Sequence, residues 1–442
     1  MSEERSLTAT DIGAVVVGGI IGVGIFFTPG DVAAIVPSPY WVLGMWALGG
    51  VLAILGALVL ADLGARMPKA GGFYVFLREG FGPKWGPLVA FLYGWVNLLI
   101  IQSAALAIIA LVLVQNLEVL IGKQPMWIET AIAVGAIVTF AGANAVGLRL
   151  GSGLQRAITA GKLLAVACLV GLGVGWGSAA AGLTAINTAA PTTIPEILAA
   201  AMIPVLFSYG GWQHGTYVAG VARDPQRSIP KGIIGGVLIV IACYITINFA
   251  YLTLLGQDGM AGANALAAEA ATVAVGPVGG ALIAGAIVLS AAGILNTISL
   301  AFPYVIYAMA KDGLFLKAAG DLHPRTGTPV LAIVALSTWG SVGVLVGMDG
   351  IGSLLAGTSF AEWTFFALVA IAHVRLQRRF KETEGFRVGV WAPAIFGVAS
   401  LAVALGALYV KPWESAFGIA AIVLGIFVYQ FGPSVPTISD RP

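Results

Sequence analysis

About twelve stretches of this chain, each roughly 20 residues long and almost free of charge, limit its fold more than any motif does. They lie near 12–36, 41–65, 85–114, 127–143, 153–176, 197–221, 232–255, 279–310, 330–347, 351–374, 391–410 and 416–431. A helix of about 20 residues rises about 30 Å, the thickness of bilayer hydrocarbon, and there a backbone must satisfy its own hydrogen bonds. The runs are continuously apolar rather than alternating, which excludes a membrane β-barrel. Composition agrees: 59% of residues are hydrophobic, 10% are charged, and mean hydropathy is +0.97. The predicted fold class is therefore an all-α polytopic membrane protein. Its 60 glycines suit close helix packing. A formal charge of +2 offers nothing to nucleic acid. The first ten residues lack the basic start and apolar core of a signal peptide, so the mature chain is expected to keep its start.

Basic residues test this division, because cytoplasmic loops carry the Lys and Arg of a membrane protein. With the N-terminus inside, all 22 basic residues fall on the cytoplasmic side except Lys123 and Lys411, outside, and Lys162, within the fifth run. The split supports an even number of helices with both termini cytoplasmic.

Two of the runs contain glycine clusters where a span should be continuous: Gly18-Gly19-Ile20-Ile21-Gly22-Val23-Gly24 in the first and Phe207-Ser208-Tyr209-Gly210-Gly211-Trp212 in the sixth. Unwound backbone is tolerated at membrane depth only where protein or a water-lined cavity covers it, so paired breaks mark a binding site near the midplane. They lie five helices apart, the spacing of an inverted repeat. One transporter domain over 1–442 is expected, with repeat one at about 11–176, repeat two at about 195–375 and two further helices at about 390–432.

Four stretches resemble one known family. Gly19-Ile20-Ile21-Gly22-Val23-Gly24-Ile25-Phe26 is similar to the helix 1 signature of the amino acid–polyamine–organocation superfamily. Phe207-Ser208-Tyr209-Gly210-Gly211-Trp212 resembles the helix 6 signature of its L-type amino acid transporter branch. The run from Ala61 to Tyr74, and Tyr307 to Gly313 with Gly327-Thr328-Pro329, are similar to two of its loops. The resemblance implies a fold of five plus five inverted helices, with helices 1 and 6 broken. The helix 1 break exposes N–H groups at the positive end of a helix dipole, which suits a carboxylate, and the helix 6 break frees carbonyls, which suit an ammonium. By the resemblance, the amides of Gly22, Val23 and Gly24 take the substrate carboxylate. The carbonyls of Ile20, Ile21, Phe207, Ser208 and Gly210 take its amine, beside Gly211, and Phe207 covers it as an aromatic gate.

Lys162 lies about nine residues, or roughly 14 Å, into the fifth run, where an unpaired charge costs several kcal/mol. The resemblance to sodium-independent members places a lysine where relatives hold sodium, so Lys162 is expected to mimic that cation. Glu362, in the tenth run, is the other charge that needs a partner; a proton-linked role and a structural hydrogen bond are equally open. Asp62 is expected to pair with Arg66 one turn on. Gln213, Asn296, Gln102 and Ser103 are candidate pocket contacts, and His214 is expected to be a satisfied bundle histidine.

Other chemistry finds little support. The three histidines lack metal-ligand spacing, and there is no phosphate-binding loop ending in Lys-Ser or Lys-Thr. No enzyme activity, cofactor or metal is expected. Cys168 and Cys243 both fall inside apolar runs, so no disulfide-linked heavy chain of the animal type is expected. The expected function is sodium-independent transport of neutral L-amino acids across the cell membrane, by exchange or proton symport. A cationic amino acid or polyamine carrier using Glu362 as counter-charge is the alternative. An ion channel is the rival from another class, but filter repeats and charge rings are missing.

Overall fold

The computed structural model describes residues 7–68, 71–147, 152–178, 183, 193–347, 350–379 and 385–431, with the side chains of 152–157 excepted. Arg5, Lys69, Arg149, Lys381 and Arg441, used in the charge count, lie outside the described residues, as does the side chain of Arg156.

Among the described residues, eleven helices are long and apolar enough to cross a membrane, and no β-ladder occurs. Helix 1 is divided into shorter pieces, Ala9–Ile20 and Thr28–Ile35, and completes the expected set. It starts at a capping box in which Thr8 and Asp11 each satisfy the other's backbone N–H. Helix 2 is Pro39–Arg66. Helix 3 starts earlier than expected, as Phe73–Val96, because a short helix joins it across a kink at Gly82 (φ +71°). It continues through a π-turn, Asn97–Ile101, into Gln102–Ile121. Helices 4 and 5 are Met126–Ala145 and Ser152–Trp176. Helix 6 comprises Ile194–Tyr209 and, past a break, the short turn His214–Tyr217. Helix 7, Pro225–Gly262, outruns its apolar core and kinks at Gly256, and an unforeseen short helix, Leu266–Val275, follows it. Helices 8 to 12 are Pro277–Lys311, Val330–Gly347, Ile351–Arg379, Trp391–Val410 and Pro412–Phe431.

The helices pack in two groups. Helix 7 lies along helices 1 and 2, and helix 6 joins them; helix 3 lies along helices 8 and 9, and helix 4 packs on all three. Helix 5 bridges helices 7 and 8, while helix 10 packs on helices 3 and 11. Helix 3 is central, with 78% of its most apolar window buried, whereas helix 4, with 17% buried, lies at the periphery. Polar side chains inside the bundle mostly return to their own helix: Asn97, Asn116 and Asn248 each donate to the carbonyl four residues back.

Two contacts far from the breaks tie elements together. Before helix 1, Leu7 pairs as an isolated β-bridge with the chain leaving helix 6, its N–H reaching Val221 O at 3.1 Å and its carbonyl accepting from Arg223 N–H at 2.9 Å. At the end of helix 2, the fully buried Asp62 accepts from Arg66, as the i, i+4 spacing predicts. It also meets His373 Nε2 of helix 10 at 2.8 Å and the Val388 N–H at 3.2 Å. Asp62→Ala leaves Arg66 and His373 buried without their shared acceptor, and removing one partner of such a pair costs about 3–5 kcal/mol. The expected result is a clearly lower unfolding temperature in detergent, read by intrinsic tryptophan fluorescence, with Arg66→Ala producing a similar drop.

Candidate functional site

The break in helix 1 is a designed stop rather than a frayed end. The last α-helical bond runs from Ile21 N–H to Val17 O at 2.9 Å. Ile21 then adopts φ −70°, ψ 84°, an inverse γ-turn closed by Gly22 N–H on Ile20 O at 2.7 Å. A 3-10 turn, Gly24–Phe26, leads into the second half of the helix. Carbonyls left behind by this unwinding find partners on other helices. Lys162 Nζ, on helix 5 and only 6% exposed, donates to Gly18 O at 2.6 Å. The Tyr244 hydroxyl, on helix 7, lies 2.9 Å from Ile20 O and 3.0 Å from Ser208 O, so one group spans both breaks. Tyr251, two turns further along helix 7, donates to Ile25 O at 3.3 Å. The N–H groups of Val23 and Gly24 have no hydrogen-bond partner among the described residues, so they remain open to an anion, whereas Gly22 N–H is engaged in the γ-turn.

Helix 6 breaks against this segment. Gly210 N–H is shared between Leu206 O at 3.0 Å and Phe207 O at 3.2 Å, and Gly211 turns at φ +121°, a conformation that side chains rarely adopt. A Cβ on Gly211 would lie 2.6 Å from Gly19 O, and one on Gly24 would lie 2.6 Å from Ser208 Oγ. The two breaks thus meet backbone to backbone, and a hydrogen bond of 2.6 Å between Thr28 Oγ1 and Ser208 Oγ fixes their register. Gln213 Oε1 accepts from Gly211 N–H at 3.1 Å. Phe207 is half-buried and its ring centroid lies 6.3 Å from that of Phe27, at the edge of the break.

The predicted site residues divide accordingly. Ile20, Ile21, Gly22, Val23, Gly24, Phe207, Ser208, Gly210, Gly211, Gln213 and Lys162 gather around the facing breaks. His214 joins them, since its Nδ1 would meet a Cβ on Gly19 at 2.4 Å. Asn296 is engaged elsewhere, its Oδ1 accepting from Asn144 of helix 4 at 3.0 Å; helix 8 offers Ile294 to the break instead, near Gly22. Ser103 bonds to its own helix at Leu99 O. Glu362 and Gln102 line a small cavity beside Gln213, together with Tyr93, Asn97 and three phenylalanines. Sequence reasoning missed Tyr244 and Tyr251. Their signal was Tyr244, Asn248 and Tyr251 at i, i+4 and i+7, a polar-tipped stripe on one face of an otherwise apolar helix. No cluster of metal-ligating side chains occurs among the described residues.

An all-helical membrane protein whose two broken helices face each other at a buried site has the architecture of a secondary transporter, not of an enzyme. Residues 7–431 match the amino acid permease family, and the chain belongs to it. It is an amino acid transporter of the amino acid–polyamine–organocation superfamily, resembling the L-type branch. Its relatives include the serine/threonine exchanger SteT of Bacillus subtilis (strain 168), 35% identical over 326 residues that cover 72% of this chain and 71% of the relative. The human b(0,+)-type amino acid transporter 1 is 29% identical over 431 residues, covering 94% of this chain and 85% of its own. The human cystine/glutamate transporter is 27% identical over 445 residues, covering 96% and 85%.

Two substitutions test the site's geometry. Tyr244→Phe strips a buried donor from Ile20 O and Ser208 O, at a cost of about 1–3 kcal/mol, and should lower the unfolding temperature and weaken amino acid binding in titration calorimetry. Gly211→Ala, strained in φ and in collision with Gly19 O, should abolish labelled amino acid uptake altogether.

Proposed function

We propose that this protein carries neutral L-amino acids across the cell membrane without sodium, by exchange or proton symport, with both termini in the cytoplasm. The group of helices 1, 2, 6 and 7 rocks against the group of helices 3, 4, 8 and 9, which belong to two inverted repeats at about 11–176 and 195–375. The substrate carboxylate sits at the Val23 and Gly24 N–H groups, where the dipole of the second half of helix 1 favours an anion. The substrate ammonium takes carbonyls of the facing breaks, among them Ile21 O, Phe207 O and Gly210 O, and Phe207 closes over it. Engaging Ile20 O or Ser208 O requires the ammonium to share them with the Tyr244 hydroxyl.

The observation that carries this reading is the hydrogen bond from Lys162 Nζ to Gly18 O. A fixed ammonium there supplies the positive charge that stabilises freed carbonyls, so no inorganic cation is needed to hold the break. No Asp, Glu or Arg adjoins either glycine cluster in sequence, which favours an uncharged substrate side chain. The relative named for serine and threonine exchange supports the same class. Cys168 and Cys243 lie within helices 5 and 7, which favours a chain working without a disulfide-linked heavy chain.

The test is uptake of labelled L-serine, L-leucine and L-lysine into proteoliposomes, with and without internal amino acid, sodium or a pH gradient. Counterflow of L-serine or L-leucine without sodium is expected; strict dependence on sodium sinks the proposal. Lys162→Ala should reduce that counterflow about tenfold or more, equivalent to at least ~1.4 kcal/mol, while the purified protein still elutes as a folded species. Wild-type kinetics in this variant would show that the ammonium is dispensable and sink the cation-mimic role of Lys162.

A further inference from the structure

We propose that Glu362 is the site at which a coupling proton is carried, an inference that rests on the transport reading above. The π-turn at Asn97–Ile101 widens helix 3 and turns Asn97 and Gln102 toward helix 10, where they share a cavity with Glu362, Tyr93 and Gln213. The cavity has room for about one water molecule, too little for the end of a lysine or arginine side chain. A water held there lies beside the Glu362 carboxylate and can exchange a proton with it.

The surroundings of Glu362 favour a proton. Its side chain makes no hydrogen bond or ion pair with any described residue, and an unpaired carboxylate within a membrane bundle is costly. The titratable groups beside it are phenols: Tyr93 on helix 3 lines the same cavity, and Tyr217 on helix 6 lies against Tyr93. Their hydroxyls lie 3.3 Å apart, and Tyr217 is 37% exposed, so the pair extends from the cavity to an accessible space beside the helix 6 break. Other helices packed on helix 10 bring Asp62 and Arg66 (helix 2), Tyr209 (helix 6), and Glu414 and Tyr429 (helix 12), none of them bonded to Glu362. Lys162 and His214 lie at the breaks, and Lys162 bonds to Gly18 O instead.

The same cavity touches both packing groups. Gln213 belongs to helix 6 and caps Gly211 N–H at the break, whereas Tyr93 and Asn97 belong to helix 3. When the groups rock, Gln213 moves relative to helix 3 and changes the water available to Glu362. The carboxylate accepts a proton from water while the cavity is open and returns it to water on the other side. Gln213 reports the state of the binding site to it.

The experiment measures two quantities in vesicles containing the whole chain: L-serine counterflow at equal pH, and luminal acidification, read with a trapped pH dye, during L-serine uptake under an inward acid gradient. Wild type should acidify the lumen in step with uptake. Glu362→Gln should lose this proton flux by about tenfold or more while counterflow remains measurable, and Glu362→Asp should restore part of it. Proton flux that persists in Glu362→Gln overturns the proposal. So does wild-type counterflow without any acidification, which leaves pure exchange. Loss of labelled L-lysine uptake alone in Glu362→Gln also overturns it, assigning the carboxylate to a substrate side chain. Absence of wild-type counterflow for every labelled amino acid would strike the transport reading instead.

Discussion

Unwinding a helix inside a membrane leaves carbonyls that hydrocarbon cannot satisfy, and this structure is organised around answering them. Gly18 O is met by a lysine from helix 5, Ile20 O by a γ-turn and a tyrosine from helix 7, and Ile25 O by a second tyrosine from the same helix. The partners come from helices 5 and 7, so helices 1, 5 and 7 must sit where they do for the break to exist. The open Val23 and Gly24 N–H groups are what this arrangement leaves available. A site made of backbone survives in a bilayer only because side chains elsewhere complete everything except the part meant for the ligand.

Much of this was legible in the chain. Hydropathy is a local property, so the spans could be read directly, and glycine in a span has few meanings, so the breaks could be read too. Lys162 stood out because a charge at that depth needs a reason. Tyr244 did not, since a tyrosine in an apolar run is an ordinary sight and its acceptors lie 224 and 36 residues away. The same limit hid His373 and Val388 as partners of Asp62, whose bond to Arg66 was predictable at i, i+4 while partners more than 300 residues distant were not. Asn296 shows the converse: polarity in helix 8 suggested a pocket, but the facing residue is Asn144, and the face a side chain takes is fixed by packing.

Helix boundaries departed from the apolar runs wherever glycine carried the chain through an unusual backbone angle. Gly82 and Gly256 let helices 3 and 7 continue as kinked extensions past the end of their apolar cores. The π-turn in helix 3 has no hydropathy signature at all, yet it decides which residues line the cavity near Glu362.

The β-bridge at Leu7 bears on how the broken helices can move. It fastens the start of helix 1 to the exit of helix 6, while at the break Gly211 packs so closely against Gly19 that no side chain fits between them. Two such contacts along one length turn a pair of half-helices into a single lever, whose outer end is held by main chain rather than by any particular side chain. The bridge itself therefore asks for backbone and spacing at Leu7, while Thr8 and Asp11 beside it remain necessary to cap helix 1. An inserted or deleted residue would slip the clasp and let the two halves swing apart.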